Sequence, residues 1–212
     1  MGIAEKLKAV QTNLKHEVVL VAVSKTKSNA DILQAYNSGQ RIFGENKVQE
    51  LMQKQEELPK DIQWHMIGNL QSNKVKYIAP FVSLIHGADS LKLLKEINKR
   101  AGQNKRIIDC LLQVHIATES NKFGFGINEL EDTLISIQEF KNINVKGLMG
   151  MATFTNDKTQ ITKEFSDLKI AFHKIKTPQI NTLSIGMSGD YQIAIENDST
   201  MIRIGSAIFG TR

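Results

Sequence analysis

Eight short runs of aliphatic residues recur along this chain, each separated from the next by a longer stretch of mixed character, and no other feature restricts the fold as tightly. The runs lie at 18–23, 41–43, 62–67, 82–85, 107–116, 145–151, 182–185 and 201–204 and are rich in Val and Ile. Turn residues bound them, as suits buried strands. The stretches 31–37, 47–57, 91–100, 129–140 and 163–175 read as helices, with shorter crossovers at 71–77 and 191–196. Ser28 or Asn29 can cap the first helix, and Gly39 follows its end. Ser90 can cap the helix beginning at 91, with Gly102 placed just beyond it. Such alternation implies parallel strands joined by right-handed crossovers. Eight repeats favour a single closed (β/α)8 barrel of the TIM type over an open doubly wound sheet. The opening residues add an extra N-terminal helix. Only three prolines and no low-complexity tract interrupt the chain, so residues 1–212 read as one domain.

With 41% hydrophobic and 23% charged residues, the chain has the composition of a globular protein that buries a core without staples. Cys110 is the only cysteine, which excludes an internal disulfide and a thiolate zinc cluster and fits a reducing compartment. No run approaches the roughly 18 apolar residues of a membrane helix, and the N-terminus lacks a signal-peptide pattern. A cytoplasmic protein with no membrane partner is the expectation. A formal charge of +5 suits an anionic partner. The lysines are scattered, without a dense basic run interleaved with aromatics, so a phosphate-bearing small molecule is a more economical anion than nucleic acid.

A barrel of this type carries its site at the C-terminal ends of the strands and in the loops that follow. Those ends bear Ser24-Lys25-Thr26-Lys27, Gly44-Glu45-Asn46, His65 with Gly68-Asn69, His86, His115, Met151 with Thr153, residues 186–190, and Arg203 with Gly205-Ser206. Lys25 emerges from the buried run VVLVAV. Desolvation disfavours an ammonium, and Lys27 nearby pushes the same way, which favours the neutral amine that a Schiff base requires. A lysine that merely snorkels to solvent is the simpler reading of this feature taken alone. Phosphates in such barrels often sit in the loops after strands seven and eight, where Gly186-Met-Ser188-Gly-Asp190 and Gly205-Ser206 stand. Their glycines admit an anion to the backbone N–H groups, and Ser188 and Ser206 add hydroxyls. Two ordinary glycine turns would look the same singly.

Rival motifs fail. Asp190 occupies the place of the second glycine in G-x-S-x-G, and Ser24–Lys27 lacks the partner motifs of the S-x-x-K acylating enzymes. Walker, H-E-x-x-H and complete G-x-G-x-x-G patterns are absent. The histidines show no paired metal spacing. His16 and His173 read as surface residues, whereas His65, His86 and His115 read either as facing the mouth or as satisfied core histidines.

The stretches LVAVSKTK (20–27), RIFGENKVQE (41–50), WHMIGNLQSNK (64–74), IHGADSLKLLKEINK (85–99), LLQVHIATESNKFGF (111–125), KGLMGMAT (146–153), LSIGMSGDYQIAI (183–195) and STMIRIGSAIFG (199–210) resemble, in order, the pyridoxal phosphate homeostasis proteins, whose fold is like the barrel domain of alanine racemase. The resemblance implies that Lys25 forms an internal aldimine with pyridoxal 5′-phosphate. It implies a phosphate cup of Ser188, Gly205 and Ser206, with Arg203 facing the pyridine nitrogen and Asn46 and His65 near the ring. Asn69 and Ser28 depart from the family's usual residues, leaving loop shape open there. An arginine at the ring nitrogen disfavours its protonation and weakens the cofactor as an electron sink. The opposite-face tyrosine of the racemases comes from a second domain that this chain has no room for, and Tyr36, Tyr77 and Tyr191 occupy no evident equivalent place. The resemblance therefore implies a carrier or regulator of the cofactor, with apo-enzymes as possible recipients, rather than a catalyst; a monomer without a bound metal is the expectation. A weak pyridoxal-phosphate-dependent amino-acid racemase is the alternative.

Overall fold

The computed structural model describes residues 1–14, 17–119 and 123–210; His16 and residues 120–122 of the fifth matched block lie outside the described residues. Eight strands run in parallel: β1 (Val19–Val23), β2 (Ile42–Glu45), β3 (Gln63–Met66), β4 (Leu84–Ala88), β5 (Ile108–Val114), β6 (Ile143–Gly150), β7 (Thr182–Met187) and β8 (Met201–Ile204). They pair in sequence order, and β8 returns to β1 from Val19 opposite Met201 to Ala22 opposite Ile204. The barrel therefore closes as expected. The helices among the described residues are α1 (Ile3–Thr12), α2 (Asn29–Asn37), α3 (Val48–Glu57), α4 (Val75–Ile78), α5 (Leu91–Gln103), α6 (Leu130–Ser136), α7 (Lys158–Ile175), α8 (Tyr191–Glu196) and α9 (Ser206–Phe209). None is long and apolar enough to cross a membrane.

Two cores follow from the two-residue period of the strands. Val21, Leu84, Leu111, Met149 and Met201 fill the inside of the barrel. The larger core, including Ala22, Phe43, Trp64, Leu112 and Ile202, packs between strands and helices. Each strand thus sends alternate residues inward and outward, and this parity decides which polar residues reach the mouth.

Several boundaries differ from the sequence reading for local reasons. Ser28 caps α2: its Oγ accepts from the Asp31 N–H at 3.2 Å, and Asp31 returns a carboxylate oxygen to the Ser28 hydroxyl at 2.8 Å. Gly39 takes the left-handed conformation at φ 96° beyond the helix end. Gly102, expected past the end of α5, lies inside it, and the left-handed residue is Lys105 at φ 54°. α7 begins at Lys158, ahead of the expected 163, because the Asp157 carboxylate caps the N–H groups of Thr159 and Gln160. α6 stops at Ser136, short of the expected 140.

Candidate functional site

A cavity of about 370 Å³ opens at the C-terminal mouth of the barrel. Of the seven residues singled out by sequence, Lys25, Asn46, Ser188, Arg203, Gly205 and Ser206 line it. Parity explains most of this. Lys25 stands in phase with the inward-facing Val21 and Val23 of β1, Asn46 with Ile42 of β2, and Arg203 and Gly205 with Met201 of β8. Val23, Ile67, Met151 and Met187 supply apolar walls, as suits an aromatic ligand with an anionic tail. Phe154 stands at the rim, fully exposed.

Lys25 is half-buried at the first position after the short link from β1. The Lys27 ammonium is drawn to the end of α9, where it donates to the carbonyls of Phe209 and Gly210 at 3.3 and 3.1 Å. The loops after β7 and β8, the latter paired with β1, meet at Ser188. Its Oγ accepts from the N–H of Gly205 at 3.2 Å and of Ala207 at 3.4 Å. Those amides are orphan donors at the start of α9, aimed at one oxygen, as an anion requires. Ala207 escaped the sequence reading because an alanine offers no polar side chain; only its place two residues beyond Gly205 hints at the role. Asp190 is turned away from this cup, its Oδ1 accepting from the Met187 N–H at 2.6 Å. Burial raises its carboxyl above the ordinary range, an effect opposed by the Met187 amide and by Arg203.

Arg203 forms the floor and is almost wholly buried. One terminal nitrogen donates to the Ser184 carbonyl at 2.8 Å and to Ser184 Oγ at 2.6 Å, the other to the Gly150 carbonyl at 3.0 Å. The Nε–H is left without a partner among the described residues. Burial draws the guanidinium down to about 10, so it remains a cation that only donates.

That fact sets the polarity of the chain behind it. Ser184 Oγ accepts from Arg203 and, among the described residues, touches one other polar atom, His86 Nδ1, at 3.2 Å. The hydroxyl proton therefore goes to His86 Nδ1, which places the His86 proton on Nε2. His86 Nε2 in turn donates to His65 Nδ1 at 3.0 Å. Both imidazoles are neutral. Burial pulls His65 down to about 3 and His86 well below its ordinary value, with His65 and Arg203 adding to the latter. His65 does not line the cavity; it lies inside the barrel beneath it, a core histidine bonded through Nδ1 to His86. His86 is buried as well, with a partner at both ring nitrogens. His115 is half-buried and bonds the Glu119 carbonyl at 3.0 Å, and His173 is partly exposed beside Asp198. No group of three His, Cys, Asp or Glu among the described residues is placed to hold a metal ion.

The cavity thus offers an inward amine, a guanidinium whose Nε–H has no partner among the described residues, apolar walls and the Gly205 amide beside Ser188. A pyridine aldehyde bearing a phosphate fits this donor set.

Residues 2–212 match the family model of the alanine racemase N-terminal domain. A pyridoxal phosphate homeostasis protein of Pasteurella multocida is 37% identical over 100% of this chain and 98% of its own length. That of Helicobacter pylori strain J99 is 42% identical over 92% of this chain and 88% of its own. Among solved structures, PipY of Synechococcus elongatus with pyridoxal phosphate bound has a TM-score of 0.90 at 33% identity, covering 98% of this chain and 100% of PipY. Alanine racemase of Bartonella henselae shares the fold at TM-score 0.78 and 15% identity, and the match covers 58% of that enzyme.

Proposed function

The chain belongs to the alanine racemase N-terminal domain family, and on that footing we propose that it binds pyridoxal 5′-phosphate covalently through Lys25 and serves in pyridoxal phosphate homeostasis as a carrier or regulator. The observation that carries this reading is the convergence, in one cavity, of Lys25, Arg203, Ser188 and Gly205, with the Gly205 amide meeting Ser188 Oγ. The bound cofactor would supply an aldehyde, with which an unprotonated lysine amine condenses with loss of one water. Ser188, Gly205, Ser206 and Ala207 hold the phosphate. Arg203 donates to the ring nitrogen and so keeps a second proton off it. Asn46 borders the ring substituents, while His65 supports the floor from below through His86 and Ser184.

Residues 1–212 act as one binding domain in this reading. Closure of the barrel leaves no free sheet edge for a second copy to pair with, which supports a monomer. The single buried thiol of Cys110 accords with a cytoplasmic setting. Apo-enzymes are the proposed recipients of the cofactor. Slow or absent turnover is supported by the tyrosines: none lines the cavity, and Tyr36 is held outside it by a 2.7 Å bond to Asp61. Borohydride reduction of the cofactor-loaded protein, followed by peptide mapping, is the test. The pyridoxyl label is expected on Lys25; label chiefly on Lys27 or another lysine overturns the assignment.

A further inference from the structure

Behind the Lys25 turn, on the outward side of β2, lies an ion cluster that the cavity does not include. Glu45 is fully buried, and its Oε1 accepts from Ser24 Oγ at 2.6 Å and from Lys54 Nζ at 2.7 Å. Lys54, on α3, is buried too, and donates as well to the Ser24 carbonyl at 2.8 Å and to Glu50 Oε1 at 2.6 Å. Its three protons are all used. The same Glu50 Oε1 accepts from the Thr26 N–H at 2.6 Å. The cluster therefore grips the Ser24–Lys25 peptide group by its oxygen and the Lys25–Thr26 peptide group by its nitrogen. Both peptides flanking Lys25 are held from one side.

The grip has a reason. Residues 24–27 form a turn closed by the Lys27 N–H on the Ser24 carbonyl at 3.0 Å, with Thr26 in its third position at φ 64°. Turns of that kind favour glycine there, and a β-branched residue in left-handed backbone is unfavourable enough to be displaced unless its surroundings hold it. Thr26 has no glycine's freedom; it has the Glu50 carboxylate. Release of that bond lets the turn relax, and the Lys25 stem, one residue earlier, turns with it. An i, i+4 Glu–Lys pair on a helix surface ordinarily contributes little. This one is largely buried against a strand end, and its partners are backbone atoms of the turn.

We propose that Glu50 and Lys54 are positioning residues for Lys25, holding the strained Thr26 turn so that the amine projects into the cavity. The proposal rests on the assignment of Lys25 as the covalent lysine. It separates two functions of the site: the phosphate cup and Arg203 set the affinity for the cofactor, while the cluster sets how readily Lys25 joins to it.

Glu50→Ala, Glu50→Gln and Glu50→Ala with Thr26→Gly are to be compared with the parent protein. Pyridoxine 5′-phosphate, which has no aldehyde, reads binding alone; borohydride-trapped label on Lys25 at limiting pyridoxal phosphate reads covalent joining. Glu50→Ala is expected to bind pyridoxine phosphate within two-fold of the parent, yet to label Lys25 roughly ten-fold more slowly, in line with a turn released from left-handed backbone. Glu50→Gln, which keeps an acceptor for the Thr26 N–H, retains most of the labelling. Thr26→Gly, which adopts φ > 0 freely, restores at least half of what Glu50→Ala loses. Labelling of Glu50→Ala at the parental rate overturns the inference, as does a parallel fall in pyridoxine phosphate binding or the failure of both rescues. If the parent protein itself does not label at Lys25, the covalent assignment falls first and the inference with it.

Discussion

Acidification provides a sharp test of the hydrogen-bond chain beneath the cavity. Arg203, Ser184, His86 and His65 form a directed series in which both imidazoles are neutral. In the unfolded chain each takes up a proton near pH 6.5. In the fold both pKa values are depressed by burial, His65 to about 3. Their contribution to stability is therefore complete above pH 6.5 and is lost as the pH falls toward the folded values. From pH 7 to pH 5 His65 withdraws about 2 kcal/mol, and His86 acts in the same direction. That is a large part of the roughly 5–15 kcal/mol that holds a typical domain. Glu45 has the opposite sign, because burial raises its carboxyl. Its contribution is present below its unfolded value near 4.5 and declines as the pH rises through the folded one, so it offsets the histidines only at the acid end. Urea unfolding of cofactor-free protein at pH 7, 6 and 5, at constant ionic strength, measures the slope. Nitrogen-15 NMR of the imidazoles reports the tautomers, with the proton expected on Nε2 of both rings at pH 7 and at pH 5. A stability that is level from pH 7 to pH 5, or rings that titrate near 6.5 in the folded protein, refutes the directed chain.

Ser188→Ala removes the oxygen that gathers the Gly205 and Ala207 amides and one phosphate donor; binding of pyridoxine phosphate is expected to weaken by about 1 kcal/mol in a calorimetric titration. Gly205→Asp puts negative charge at the cup, and its Cβ would meet Val23 at an ordinary 3.4 Å. It should abolish phosphate binding while leaving the unfolding free energy in urea within about 1 kcal/mol of the parent. Gly147→Ala should do the reverse, because its Cβ would stand 1.7 Å from the Thr182 carbonyl oxygen at φ 155°; a loss of about 3 kcal/mol in urea unfolding is expected. Loaded protein incubated with amino acids in deuterated water is expected to exchange the α-proton far more slowly than the roughly 1 s⁻¹ common among enzymes, as read by proton NMR; exchange at that rate would mark a catalyst.

Much of this molecule is legible in one dimension. The eight aliphatic runs coincide with the eight strands, because a strand buried on both faces needs an unbroken apolar segment whatever surrounds it. β2 and β4 run on to Glu45 and Ala88, past the runs that announced them, since pairing with a neighbour extends a strand through residues that are not themselves aliphatic. That Lys25, Asn46, Ser188, Arg203, Gly205 and Ser206 line the mouth was legible because they stand at the C-terminal strand ends or in the loops that follow. The placement of His65 under the floor was not legible. Strand alternation shows that neighbours face opposite ways, but depth along the barrel depends on the stagger of all eight strands.

Closure itself is a pairing between β1 and β8, some 180 residues apart, and no local pattern encodes it. The ion cluster shows the same limit. Glu50 and Lys54 are four apart on a helix and look like a solvated surface pair; only the packing of α3 against β2 buries them beside Glu45 and turns their charges toward the Lys25 turn. The chemistry of the groups belongs to the sequence. Which of them meet, which are stripped of water and which way a proton points along the chain from Arg203 to His65 are set by contacts between distant segments, since burial and hydrogen-bond partnership exist only once those segments are packed.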